Sequence, residues 1–245
     1  MFAAEGSRII LVDVDGDALQ GIVAEIGADQ AASVLADVSD GEQMQTYVVA
    51  AMEKFGDGDI ALLNADIKGK IMPIAEYPKD LFYKVMTVNV RGVFLGLKYV
   101  MPAMRSRGEG NIVITSSTAG TRGSSGMSAF ITSKHPVIGF MWTAALEGAE
   151  DNIRVNTVNP APIDTRMIAS IEEQKGLPTG DRSNRPWPST CRCSATAKRM
   201  KWHGRCCSSA ATTARSVRAA FTWLMAAFPP ALCEAGRFGA IVGKQ

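Results

Sequence analysis

Arg8 to Ile26 reads RIILVDVDGDALQGIVAEI. Its first part, Arg8-Ile-Ile-Leu-Val-Asp13, is a continuous apolar run closed by an acid, the pattern of a strand buried on both faces of a parallel sheet. From Asp15 onward Leu19, Ile22, Val23 and Ile26 recur at helical spacing until Gly27 stops them. A strand that hands over to a helix within two residues is half of a βαβ crossover. The unit then repeats. Ser33 to Ala36, Asp59 to Asn64, Asn111 to Thr115 and Ile153 to Val158 read as further strands. Asp40 to Phe55, Tyr77 to Arg105 (broken near Val90) and Ser128 to Gly148 read as the helices between them. Strands separated by helices of this length imply right-handed crossovers and an α/β, Rossmann-like doubly wound parallel sheet.

The 245 residues are 47% hydrophobic and 20% charged, values of a globular protein with ample chain for one core. No apolar run approaches the ~20 residues of a membrane helix. Met1 to Asp13 lacks the basic start and cleavage signature of a secretory leader, so a cytoplasmic location and no membrane partner are expected. One domain over 1–245 is expected, with 1–175 patterned and 176–245 an atypical basic, Cys-containing tail. Residues 181–218 hold nine Lys or Arg against one acid, so the net charge of +2 hides about −7 on the first 180 residues. All five cysteines lie between Cys191 and Cys233.

The stretch Asn111 to Lys134, NIVITSSTAGTRGSSGMSAFITSK, resembles the active-site segment of the short-chain dehydrogenase/reductase family. There a strand ends in a Ser pair, and a Tyr-x-x-x-Lys helix follows with its Tyr 13 residues after the second Ser. Ser117 plus 13 is position 130, and Lys134 stands one helical turn beyond. Val88-Asn89-Val90-Arg91-Gly92, Asp37-Val38, Phe55 to Ile67 and Asn159 to Thr165 resemble other motifs of the family, over residues 1 to about 170. Alone, a Ser pair after a strand is turn chemistry and Asn89 a satisfied polar residue. Their joint spacing with Lys134 favours the site.

The resemblance implies NAD-dependent interconversion of a secondary alcohol and a ketone by hydride transfer, on a small-molecule substrate, in a homo-oligomer. A Tyr phenol moves the proton, an ammonium one turn away favours its phenolate, and the same lysine holds the nicotinamide ribose. Ser117 is then the donor to the substrate oxygen, and Asn89 seats a water. Asp13, Asp37, Val38, Asn64, Ala65, Lys134, Ile163 and Thr165 are the expected cofactor contacts. Asp13 at a strand end suits a ribose diol and repels a 2′-phosphate, which favours NAD; alone it is as readily a helix N-cap.

The sequence also departs from the family. Position 130 is Phe, which cannot carry a proton. Leu63-Asn64-Ala65-Asp66 stands where the family has Asn-Asn-Ala-Gly, which brings a carboxylate close to the dinucleotide, and Ala161 replaces a Gly. Pro136 lies inside the Lys134 helix, at a cost of ~3 kcal/mol. Met1 to Gly6 resembles the end of the family's first helix, so the first strand and its Gly-rich turn are expected to be absent. In the family strand order 3-2-1-4-5-6-7 that leaves two raw inner edges, so the chain must close the gap, pair with another molecule or remain partly open. The last strand is expected to be lost as well: read one base out of frame, Ala220 to Phe228 can spell Val-Tyr-Leu-Val-Asp-Gly-Gly-Phe, the family's closing strand, which points to a frameshift between about Gln174 and Asp181. Little or no turnover is expected. A non-catalytic dinucleotide- or partner-binding protein and a basic-tail nucleic-acid binder are the alternatives, nucleic acid being the weaker. Cys191, Cys193, His203, Cys206 and Cys207 lack the paired Cys-x-x-Cys spacing of zinc sites, so no metal is expected.

Overall fold

The computed structural model describes residues 2–56, 58–162, 165–176, 219–224 and 239–243, the last two stretches as backbone strands. The chain runs β1 (Arg8–Asp13), α1 (Gly16–Ile26), β2 (Ala31–Leu35), α2 (Gly41–Phe55), β3 (Ile60–Leu63), α3 (Lys79–Met86), α4 (Gly92–Arg107), β4 (Gly110–Thr115), α5 (Ser128–Glu147), β5 (Ile153–Pro160), α6 (Arg166–Gln174), β6 (Ala219–Leu224) and β7 (Gly239–Gly243). The seven strands form one sheet in the order β2-β1-β7-β3-β4-β5-β6.

The apolar run of β1 is buried on both faces, as its composition requires. Ile9 and Leu11 pack with Leu19 and Ile22 of α1, while Ile10 and Val12 join the larger core with α2, α4 and α5. Strand alternation therefore places α1 on one face and the later helices on the other. Asp15 and Asp40 cap α1 and α2 by accepting backbone N–H bonds, which explains where these helices start. The break expected near Val90 is a π-helical turn, Thr87–Arg91, between α3 and α4.

The gap expected between β1 and β3 is closed, and the expected loss of the last strand is overturned. The central slot is not a gap: β7 fills it, antiparallel to both neighbours, pairing Arg8 to Val12 of β1 with Gly243 to Gly239 and Ile60 to Leu62 of β3 with Val242 to Ala240. Unpaired backbone groups at two inner edges are costly, and the Ile-Val pair of β7 suits a strand between them. The slot after β5 is occupied too. β6 pairs with it in parallel from Val155↔Ala219 to Pro160↔Leu224, since Ala-Ala-Phe-Thr-Trp-Leu is itself rich in strand-forming residues. Pro136 lies inside α5, which runs from Ser128 to Glu147 as the pattern suggested. Buried Phe130, Val137, Ile138 and Met141 along α5 outweigh one lost backbone bond.

Candidate functional site

Strands β1 to β6 are parallel, so their carboxyl ends share one edge of the sheet, where open α/β folds bind ligands. Val12, Val38, Leu63, Asn64, Ala65 and Gly92 line a small cleft at this edge. Three of the expected cofactor contacts thus meet in one place. A Cβ at Gly92 would lie 3.0 Å from Val38 Cγ2, so a larger residue there would push against Val38. Asp13 closes β1 in a buried position, its Oδ1 accepting the Asp15 N–H at 2.9 Å. The cap of α1 is Asp15, not Asp13. Asp37 accepts from the Ser39 N–H at 2.8 Å and the Ser39 hydroxyl at 2.7 Å, shaping the turn into α2. Asn64 Oδ1 accepts from the Thr115 hydroxyl at 2.8 Å and ties the end of β3 to that of β4.

The second half of the edge gathers the residues expected to be catalytic. Asn89, in the π-helical turn, is buried. Its Oδ1 accepts from Ile67 N at 2.8 Å, and its Nδ2 donates to Ile67 O and to Ser133 Oγ, both at 2.9 Å. Ser133 in turn donates to the Phe130 carbonyl at 2.8 Å. The turn therefore locks α5 to the loop after β3. Ser117 caps the short turn Thr118–Gly120 by accepting the Ala119 N–H at 3.1 Å, and its hydroxyl reaches the Pro160 carbonyl at 3.5 Å. Ser116 is buried and donates to the Lys134 carbonyl.

Phe130 and Lys134 occupy one buried face of α5, with the ammonium 5.5 Å from the ring centroid. Lys134 Nζ donates to the Thr115 carbonyl at 3.0 Å and pairs with Asp66 Oδ2 at 2.6 Å. That pairing is invisible in the residue pattern, which marked Asp66 only as a misplaced carboxylate. Gly120 also went unmarked: a Cβ there would lie 2.7 Å from Ser116 Oγ and 2.8 Å from the Lys134 carbonyl. An Ala-Gly turn directly after the Ser pair is the available signal.

Thr165 is the N-cap of α6, its Oγ1 accepting the Ile168 N–H at 3.3 Å, while Ile163 lies outside the described residues. From α6, Gln174 Oε1 accepts the Ile71 N–H at 3.1 Å, and Lys175 donates to Ser124 Oγ. Burial lowers the Lys68 ammonium below its ordinary pKa, partly offset by Glu173 of α6. Among the described residues no group of His, Cys, Asp and Glu could hold a metal, and the cysteines and His203 lie outside them. No described helix is long and apolar enough to cross a membrane.

Residues 1–176 match the model of the short chain dehydrogenase family. The chain belongs to that family. Among short-chain dehydrogenases it is 39% identical to levodione reductase of Leifsonia aquatica over 176 residues, 70% of this chain and 66% of that protein. The match thus spans just under two thirds of that relative's length. The crystal structure of levodione reductase superposes with a TM-score of 0.67 over 71% of this chain and 69% of that one. NAD+-bound xylitol dehydrogenase is 33% identical, with a TM-score of 0.65 over 74% and 70% of the two chains. A 3-ketoacyl-ACP reductase from Sinorhizobium meliloti 1021, 27% identical, gives a TM-score of 0.78 over 91% of this chain and 89% of its own.

Proposed function

We propose that this chain descends from nicotinamide-dependent oxidoreductases that interconvert a secondary alcohol and a ketone, and that it has little or no turnover of its own. Its relatives are named as reductases and dehydrogenases, one of them with NAD+ bound. The observation that carries the second half is Phe130. Its ring fills the place of the family's proton donor, beside Lys134, and a phenyl group cannot give a proton to an alkoxide.

A dinucleotide fits the two halves of the site unequally. Val12, Val38, Asn64 and Ala65 line a small apolar cleft on the adenine side, and Asp13 offers a carboxylate for its ribose, a reading that favours NAD over NADP. On the nicotinamide side the lysine is already paired with Asp66. In the central slot the antiparallel β7 enters at the ligand-binding edge, where a parallel strand would turn into a helix N-terminus for the pyrophosphate. When bound, the cofactor would supply the hydride; Ser117 would orient the carbonyl oxygen, and Phe130 leaves the phenol's place without a proton to give. The apolar cleft beside Asp13 favours a second reading, a dinucleotide binder without turnover.

Thermal-shift titration with NADH and NADPH, followed by a turnover assay with cyclic and linear ketones, tests the proposal. No consumption of either reduced cofactor above the blank is expected. Steady NADH oxidation that depends on ketone would overturn it, and a thermal shift without turnover would favour the binder.

A further inference from the structure

An ammonium has three donors and no acceptor. In Lys134 one donor meets the Thr115 carbonyl and another the Asp66 carboxylate, and the ammonium lies within cation–π reach of the Phe130 ring. The pair is enclosed: the lysine side chain is 3% exposed and that of Asp66 12%. The carboxylate is also aimed. Asn89 grips both backbone groups of Ile67, the next residue, and so fixes the loop that carries Asp66 against α5. A carboxylate meets the ammonium with opposite full charge, which a neutral hydroxyl lacks, and the attraction grows where water is excluded. In a contest for this ammonium, an enclosed and pre-aimed carboxylate prevails over a sugar hydroxyl.

We propose that Asp66 is a resident competitor for Lys134, a positioning residue that holds the ammonium a ribose hydroxyl would need and so keeps the nicotinamide half of a dinucleotide from seating. The inference rests on reading the edge as a former dinucleotide site. The substitution that brought in Asp66 and the one that removed the phenol are then complementary. An ammonium that once favoured a phenolate now has a carboxylate as its anion.

The test compares the full chain with D66N and D66G by two readouts that need no turnover. The first is the acetylation rate of Lys134 with an N-hydroxysuccinimide ester, read by peptide mass spectrometry, with exposed Lys79 as internal reference. Lys134 is expected to react at least about tenfold faster in D66N, which corresponds to about 1.4 kcal/mol, with Lys79 unchanged. Equal rates would overturn the proposal. The second is NADH affinity by fluorescence, expected to tighten several-fold in D66G; an unchanged Kd in a folded D66G would overturn it as well. If D66G loses its thermal transition, D66N decides by both readouts. Turnover by the unmodified chain would show that the nicotinamide seats beside Lys134 and would overturn both readings. Equal labelling with no turnover would overturn this one alone and leave the reading of inactivity standing.

Discussion

The Phe130 ring centroid lies 5.5 Å from Lys134 Nζ, on the helix face where the family pairs a phenol with its lysine. On the proposed reading, the geometry of proton transfer is kept and its chemistry removed. Ser133 holds the Phe130 carbonyl, Asn89 holds Ser133, and the Thr115 carbonyl holds Lys134. The frame would therefore present a tyrosine hydroxyl near the ammonium if one were restored. Phe130→Tyr alone is expected to give no measurable NADH oxidation, because a positioned acid is worth ~10²–10⁴-fold only once the reactants are held in place. Ketone-dependent oxidation by this single variant would show that the rest of the site is already competent.

Asn89→Ala should cost about 2–4 kcal/mol, since it leaves the Ile67 N–H and carbonyl without their partner in a part-buried loop. Urea unfolding of the variant measures this. A loss under 1 kcal/mol would mean that water replaces the side chain.

Gly120→Ala should destabilise by about 1–3 kcal/mol, the usual cost of overpacking, because the new methyl meets Ser116 Oγ and the Lys134 carbonyl. The shift in urea midpoint checks it. An unchanged midpoint would show that the turn relaxes freely.

Closure of the sheet rests on β7, which pairs with β1 and β3 at once. Ile241→Pro removes a ladder N–H at the residue opposite both Ile10 and Ala61. The variant is expected to unfold at lower urea and to elute as larger species, since the inner edges become templates for other chains. A monomer of unchanged stability would show that β7 contributes nothing to the sheet.

Hydrogen bonds from the Gln43 and Glu42 amides, with help from Arg91, hold the Asp40 carboxyl below its ordinary pKa of 3.8. The folded value is the depressed one, so this stabilisation is full above 3.8 and is lost as pH falls through the lower folded value. Asp40→Asn keeps a good N-cap and removes the titration, so the acid limb of stability should flatten. Urea midpoints measured from about pH 6 down to about pH 2 give the slopes, and equal slopes would contradict the assignment.

Much of this architecture was legible in the residues. β1 announced itself because a strand buried on both faces must be apolar throughout, and α1 and α2 because their apolar spacing follows an Asp cap. The spacing of Ser117, position 130 and Lys134 carried the site, since strand end and helix turn fix those distances whatever the side chains are. The occupant of the central slot was not legible. Gly239 to Gly243 is too short to show a period, and its partners lie more than 170 residues away in sequence. The Asp66–Lys134 pair was hidden for a similar reason: it depends on the π-helical turn that brings Asn89 to Ile67, and π-helical turns leave no periodic signature.

The most direct measurement of the central claim is ketone-dependent NADH oxidation by the unmodified chain, run beside the Phe130→Tyr/Asp66→Gly double variant. The account predicts none for the unmodified chain, and for the double variant tighter NADH binding than either the parent or Phe130→Tyr alone. Sustained turnover by the unmodified chain that is lost on Ser117→Ala would contradict it, since the edge would then carry a working proton donor other than the residue at position 130.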